Sequence, residues 1–349
     1  MPAAIIIYTY GENSIGEAVN YYKIENANGA SVTLSQLGAS IVSIRVPDKN
    51  GELRDIVLGY NKIDGYEHDG AYFGATIGRC CGRIRNGKFT LNNKEYSLTI
   101  NDSPNHLHGG INSFSRRIWD CRVRGDDVIF SLKVDDNDEG YPGNMTVEVK
   151  FSFDDNNVLT VEYSAVSDKD TLCNITSHSY FNLNGHTNGS INNHSLKINA
   201  NSFIPVDETL IPTGEILKVE NTAFDFTGNK RIANGLAQGD KQLDIAKGYD
   251  HSFVIDKEEN TLGLCATAES EESGIKLECY STQPIVHLYT GNYVDVKNGK
   301  KDASYLEYSG FCFETQGYPD AVNHPEFPSN ILKANEKYRQ TTKFAFSVI

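Results

Sequence analysis

Apolar and polar residues alternate in short runs along most of the chain. Val147-Glu148-Val149-Lys150-Phe151-Ser152-Phe153 alternates with period two, which predicts a strand with one buried face. Asp154-Asp155-Asn156-Asn157 then predicts a turn, and Val158-Leu159-Thr160-Val161-Glu162-Tyr163 the returning strand. Lys88-Phe89-Thr90-Leu91, Asn92-Asn93 and Glu95-Tyr96-Ser97-Leu98 predict a second hairpin. Val128–Val134, flanked by acidic turns, predicts a further strand. Helical periodicity is scarce, and only the stretch around Ile232 to Leu236 predicts a short helix. No Pro/Ser/Gly linker divides the chain, and no fixed-period repeat is visible. The pattern predicts an all-β protein: one domain over residues 1–349, built as a large antiparallel β-sandwich with few short helices. In such a fold a ligand site lies on a sheet face or where loops converge.

Composition narrows the function classes. The 349 residues allow one large β domain or two ordinary ones. The 19 Tyr and 16 Phe suit half-buried pleated faces. A formal net charge of −14 argues against nucleic acid, anionic lipid or a large polyanion as the partner. A neutral small molecule remains compatible. The start, Met1-Pro2-Ala3-Ala4-Ile5-Ile6-Ile7-Tyr8, has no basic residue, and its apolar run is too short for a secretory signal. No stretch approaches the ~20 apolar residues of a membrane helix. The seven cysteines form no CxxC pair, which fits free thiols and predicts a cytoplasmic protein.

Five segments carry candidate chemistry. Asn105-His106-Leu107-His108-Gly109-Gly110 places two histidines two apart, predicted to project to one side of a strand, with glycines that let a backbone come close to a ligand. A metal would need a third ligand that no familiar spacing supplies, so no metal is expected, and a packed histidine is the competing role. Gly78-Arg79-Cys80-Cys81-Gly82-Arg83 offers two guanidinium forks for anions or hydroxyls, against plain surface ion pairs. Thr176-Ser177-His178-Ser179-Tyr180-Phe181-Asn182 sets an imidazole among aromatic and amide groups, with a structural histidine as the alternative. Asp250, in Gly248-Tyr249-Asp250-His251, either accepts from substrate hydroxyls or forms a turn. Glu314 stands alone beside Cys312 and Phe313, an apolar setting that suits a general base; a strand-face salt bridge competes. Hydroxyl-reading groups and aromatics, with no phosphate cradle or cofactor fingerprint, point to a neutral ligand rich in hydroxyls. No cofactor is expected.

Taken in order, these motifs resemble the aldose 1-epimerase (galactose mutarotase) family. Gly74-Ala75-Thr76-Ile77-Gly78-Arg79, Asn105–Gly110, Asp138-Glu139-Gly140-Tyr141-Pro142-Gly143, and the segments around His178, Asp250 and Glu314 carry the resemblance. So do Asp320–Pro325 and Phe327–Ser329 near the C-terminus, and the likeness runs from about Leu37 to the end. It implies a galactose mutarotase-like supersandwich with an open sugar cleft and cofactor-free interconversion of hexose anomers. Glu314 would take the proton of the C1 hydroxyl, His178 would protonate the ring oxygen, and His108 would support the developing charge. Arg83, Asp250 and Tyr180 match substrate-binding positions. Two positions depart from the pattern: Gly82 stands where many members carry asparagine, and His287 where many carry glutamine. An imidazole there can still hydrogen-bond a hydroxyl, so the departures bear on sugar preference rather than on the acid–base pair.

Three other functions fit parts of the sequence. A hexose-6-phosphate epimerase would need a cation cluster, for which Arg79 and Arg83 are the candidates. A non-catalytic sugar-binding protein would keep the aromatics and could dispense with the acid–base pair. A glycoside hydrolase would need two carboxylates, for which Asp250 and Glu314 qualify. The substrate is expected to be a small hexose, and the protein a monomer or homodimer.

Overall fold

In a computed structural model, residues 4–68 and 70–349 are described. Antiparallel sheets dominate. The largest has nine strands, in the order Asp120–Arg124, Asp127–Val134, Met145–Phe153, Val158–Ser167, Lys337–Val348, Ile275–Ser281, Gly263–Glu269, Ser195–Ile198 and Lys230–Arg231. The twelve-residue C-terminal strand sits at its centre and pairs with Val158–Ser167 on one side and Ile275–Ser281 on the other. The alternation expected over 147–153 is present: Val147, Val149, Phe151 and Phe153 are buried, and the residues between them are partly exposed. The Lys88–Leu91/Lys94–Ser97 hairpin also forms. Its Asn92 and Asn93 have φ of +51° and +61°, the left-handed pair that a two-residue turn between twisted strands needs.

Helices are few and short. Ile232–Leu236 lies where the sequence placed it. Ile63–Glu67 and Lys241–Ala246 were not foreseen, the latter capped by the Asp240 carboxylate accepting from the Gln242 N–H. Five to six residues are too few to show a 3.6-residue period. Among the described residues no helix is long and apolar enough to cross a membrane. Of the apolar N-terminal run, residues 1–3 lie outside the described residues; the rest joins Ala4–Glu12, an edge strand paired with Ala18–Glu25.

A five-stranded sheet positions the site. Its order is Leu217–Lys218, Ser202–Ile204, Asp250–Val254, Ile285–Tyr289 and Cys312–Gln316. Period-two geometry splits these strands between two surroundings. Phe253, Val286, Leu288 and Phe313 join the main core, which also takes Phe181, Phe311 and Phe344. The alternate residues Asp250, Ser252, His287, Tyr289, Glu314 and Gln316 face a cleft. Both faces are covered, so Cys312–Gln316 is buried at every position, and its sequence mixes polar with apolar residues where a core strand would be apolar throughout.

Candidate active site

Register builds the cleft floor. His287 pairs with Ser252 on one neighbouring strand and with Glu314 on the other. Asp250 pairs with Tyr289, and Tyr289 with Cys312. Two cross-strand rows result, Ser252–His287–Glu314 and Asp250–Tyr289–Cys312. Loops supply the walls: Tyr72, Gly82 and Arg83, His108, and His178 with Tyr180. The cavity is about 170 Å³, below the ~300 Å³ at which pockets for drug-sized ligands begin, which suits a small substrate.

His178 meets Glu314 here, with Nε2 3.5 Å from Oε1 and both side chains nearly inaccessible. The short Thr176–Ser177 strand, paired with Thr76–Ile77, carries the chain to His178. The backbone is then held by the His178 N–H donating to Ala75 O at 2.9 Å and the Gly74 N–H donating to His178 O at 2.9 Å. Tyr180 stacks on the imidazole with centroids 5.0 Å apart. His178 Nδ1 lies 3.4 Å from Cys312 Sγ. Burial pushes the Cys312 thiol well above its ordinary value, so it stays protonated. With Nδ1–H donating to the neutral Cys312 sulfur, Nε2, facing Glu314, is the nitrogen that can give or take a proton. The imidazole and the carboxylate therefore stand side by side. The two oxygens of a hemiacetal sit on one carbon, and a pair that serves them both needs this closeness.

His108 and His106 part company, contrary to the expectation that both project one way. The strand is only His106–Leu107, and His108 turns into the left-handed region at φ +52°. His106 points into the core, with Nδ1 2.6 Å from Thr99 O and Nε2 2.7 Å from Tyr141 OH. His108 enters the cleft with its ring 5.3 Å from that of His178. Its Nδ1 accepts from the Gly82 N–H at 3.2 Å, which places its proton on Nε2, toward the cavity. Burial, reinforced by His178 and Arg83, holds its pKa well below the ordinary histidine value, so the ring is neutral. Gly82 itself has φ +74°, so a residue tolerant of the left-handed region stands there. The glycines after His108 do not line the cleft and are packed against protein atoms. A Cβ on Gly109 would lie 1.9 Å from Gly78 O, and one on Gly110 would lie 2.1 Å from Glu139 Oε2.

At the other end of the cleft, Asp250 accepts from His287 Nε2 at 2.7 Å, and Arg83 Nη1 lies 3.8 Å from its second oxygen. Burial pushes the Asp250 carboxyl up, but the His287 hydrogen bond and the charges of His287 and Arg83 prevail and hold it well below the carboxylate range. A carboxylate so held is no general acid, so in a glycosidase pair it could serve only as the ionised partner. Arg83 is tied to Asp102 at 2.7 Å. Arg79 lies elsewhere, fully buried, donating to Pro142 O at 2.8 Å and Gly143 O at 2.9 Å. The two arginines form no anion site together, and among the described cleft residues Arg83 is the one cation-bearing Lys or Arg. His287 lines the cleft with both ring nitrogens engaged, Nε2 with Asp250 and Nδ1 with Ser252 Oγ at 2.9 Å.

His108, His178 and Glu314 offer ligand atoms within 4.8 Å of one another, a set chemically able to hold a metal ion. The Gly82 N–H argues against it: a metal on His108 Nε2 would force a proton onto Nδ1, opposite a donor. Sequence reasoning missed Tyr72, Ser252, Tyr289 and Asp102 as neighbours of the chemistry, and it placed Cys312 beside Glu314 without its contact to His178. Ser252 and Tyr289 were available as the i+2 partners of Asp250 and His287. Tyr72, at φ +59° and 4.9 Å from the His108 ring, left no local signal.

The chain is similar to known proteins over most of its length. A family model described as aldose 1-epimerase matches residues 20–345. Galactose mutarotase of Bos taurus is 44% identical over 318 residues, 91% of each chain. Its Homo sapiens counterpart is 43% identical over the same length, again 91% of each chain. A crystal structure of an aldose epimerase homologue from C. elegans superposes with a TM-score of 0.87 at 31% identity, covering 99% of both chains.

Proposed function

The chain belongs to the aldose 1-epimerase family, and we propose that it interconverts the α and β anomers of free hexoses such as galactose and glucose, with Glu314 as base and His178 as acid. The observation that carries this reading is the 3.5 Å contact between His178 Nε2 and Glu314 Oε1, set at one end of a cleft whose other end holds Asp250 and Arg83. Glu314 removes the proton of the C1 hydroxyl while His178, as the imidazolium, gives its Nε2 proton to the ring oxygen and becomes neutral. The C1–O bond to the ring breaks, leaving an aldehyde and a free C5 hydroxyl. Rotation about C1–C2 presents the other face. His178 then takes the C5 hydroxyl proton as that oxygen attacks C1, and Glu314 returns its proton to the new C1 oxygen. No proton is gained or lost, so one pair serves both directions.

His108, neutral and with its Nε2–H facing the cavity, donates to the sugar oxygen that carries developing charge. Asp250 and Arg83 hold hydroxyls remote from C1, Tyr180 keeps the His178 ring in plane, and Gly82 contributes through its backbone. Aldehyde rotation needs room at C1 and a grip elsewhere, which this division supplies. The protein acts as one unit in this reading, since the main core draws on residues from Tyr22 to Phe346. A phosphorylated hexose fits poorly because Arg83 already faces two carboxylates.

Polarimetry with freshly dissolved α-galactose tests the function. Equilibration should accelerate in proportion to protein concentration, and glucose 6-phosphate should be the poorer substrate. No acceleration, or a preference for the phosphorylated sugar, would overturn the reading.

A further inference from the structure

Proton transfer at C1 leaves His287 without a part, yet the imidazole sits between the two ends of the cleft. It is the cross-strand neighbour of Glu314 and of Ser252, and its ring reaches diagonally to Asp250. Asp250 is ionised and can only accept, so His287 Nε2 carries a hydrogen in both protonation states. Nδ1 is therefore the atom that titrates, and it is bonded to a hydroxyl at 2.9 Å. That hydroxyl has two settings. With Nδ1 protonated, Ser252 Oγ accepts from the ring and its own hydrogen is free to point into the cleft. With Nδ1 bare, the Ser252 O–H turns back to donate to the ring, and only lone pairs remain for a ligand.

A sugar hydroxyl that donates to Asp250 still needs a donor for its own oxygen, and Ser252 faces the same cleft two residues along the strand. We propose that His287 is a positioning residue that couples hexose affinity to pH through Ser252, which donates to the bound sugar when the imidazole is charged and turns away when it is neutral. The inference rests on the hexose reading of the cleft.

The groups around the ring place this switch in an accessible range. Asp250, from the strand on one side, and Glu314, from the strand on the other, favour the imidazolium; Arg83 opposes it. Burial also opposes it, but the Asp250 hydrogen bond prevails and the His287 pKa lies above the ordinary histidine value. His251, on the same strand as Asp250, is kept neutral by burial, with its pKa pushed down to about 3. His108 is neutral for the same reason, and burial holds the Tyr289 phenol protonated. None of these three changes charge as His287 titrates.

Calorimetric binding of galactose from about pH 5.5 to about pH 9 tests the proposal, with mutarotation rates followed in parallel and the spontaneous rate subtracted. The wild-type Kd should rise about three- to ten-fold through the His287 titration, as a charge-assisted arrangement gives way to a neutral one. His287→Gln offers Asp250 an N–H and Ser252 a carbonyl, the pattern of the neutral ring, so its Kd should be flat and close to the wild-type alkaline value. Ser252→Ala should also flatten the profile. A flat wild-type profile, or a rise that survives in either variant, overturns the proposal. Galactose binding without any rate enhancement overturns the mutarotase reading, while the Kd profile still decides this one. No galactose binding at any pH overturns both.

Discussion

Replacing Glu314 by glutamine separates catalysis from stability in this protein. The substitution keeps the shape of a side chain that is 2% exposed at the middle of a fully buried strand. In the proposed mechanism it removes the acceptor of the C1 proton. A positioned general base contributes about 100- to 10,000-fold, so kcat should fall by that factor, equivalent to about 3 to 5 kcal/mol of transition-state stabilisation. Stability should move little or rise. The carboxylate meets His178 at 3.5 Å, longer than a strong charge-assisted hydrogen bond, so the contact returns little of the cost of burying the charge. A neutral amide relieves that cost, and the expected change is within about 1 kcal/mol or stabilising. Polarimetry of α-galactose gives the rate after subtraction of the uncatalysed reaction, and urea denaturation gives the stability. A variant that keeps more than about a tenth of wild-type kcat would refute Glu314 as the base. A loss of about 3 kcal/mol of stability would show the carboxylate to be structural.

Three further outcomes follow from the same geometry. Asp250→Asn removes an ionised acceptor remote from C1, so KM for galactose should rise about 10- to 150-fold with a smaller change in kcat, the range for hydrogen bonds to charged groups; a change confined to kcat would contradict its binding role. Gly109→Ala should cost about 3 kcal/mol or more in chemical denaturation, because φ is +87° and the added Cβ would lie 1.9 Å from Gly78 O; wild-type stability would contradict the close approach. The His287–Asp250 pair should also mark the pH dependence of stability. Burial lowers the His287 pKa but Asp250 raises it further, so the folded-state value lies above the unfolded one. Its contribution is then full below about pH 6.5 and is lost as pH rises through the folded value. The Tm difference between wild type and His287→Gln should shrink across that rise, and a difference that grows with pH would contradict the sign.

Alternation made the strands legible, because burial of one face of a pleated sheet demands period two wherever the other face meets solvent. Alternation over Val147–Phe153 and Val158–Tyr163 marks most of the Met145–Phe153 and Val158–Ser167 strands, and Asn92-Asn93 marks a turn. The same rule concealed the strand that carries Glu314, since a cleft and a core on opposite faces both bury it. Candidate chemistry was legible by type. A carboxylate beside Phe313, an imidazole in a polar aromatic run and an acid after Gly248-Tyr249 each announced a group unlike its surroundings. What each group touches was not legible. His106 and His108 differ by two residues, as do partners on one strand face, yet the left-handed turn at His108 sends them to different surroundings. Arg79 and Arg83 read alike in sequence, but one is spent on the carbonyls of Pro142 and Gly143 and the other faces the cleft.

The chain by itself therefore determined the class of fold, and it marked the polar, hydroxyl-reading groups from which the proposed acid–base pair is drawn. These depend on local periodicity and on side-chain chemistry, which short segments carry. Tertiary structure alone decided that His178 lies 3.5 Å from Glu314, that His287 stands between Ser252 and Asp250, and that Cys312 meets the His178 ring. Those relations join segments more than a hundred residues apart or set the register of neighbouring strands. Alternation fixes which way a side chain points from its own strand; which strand lies beside it is settled by closing long loops around a shared core.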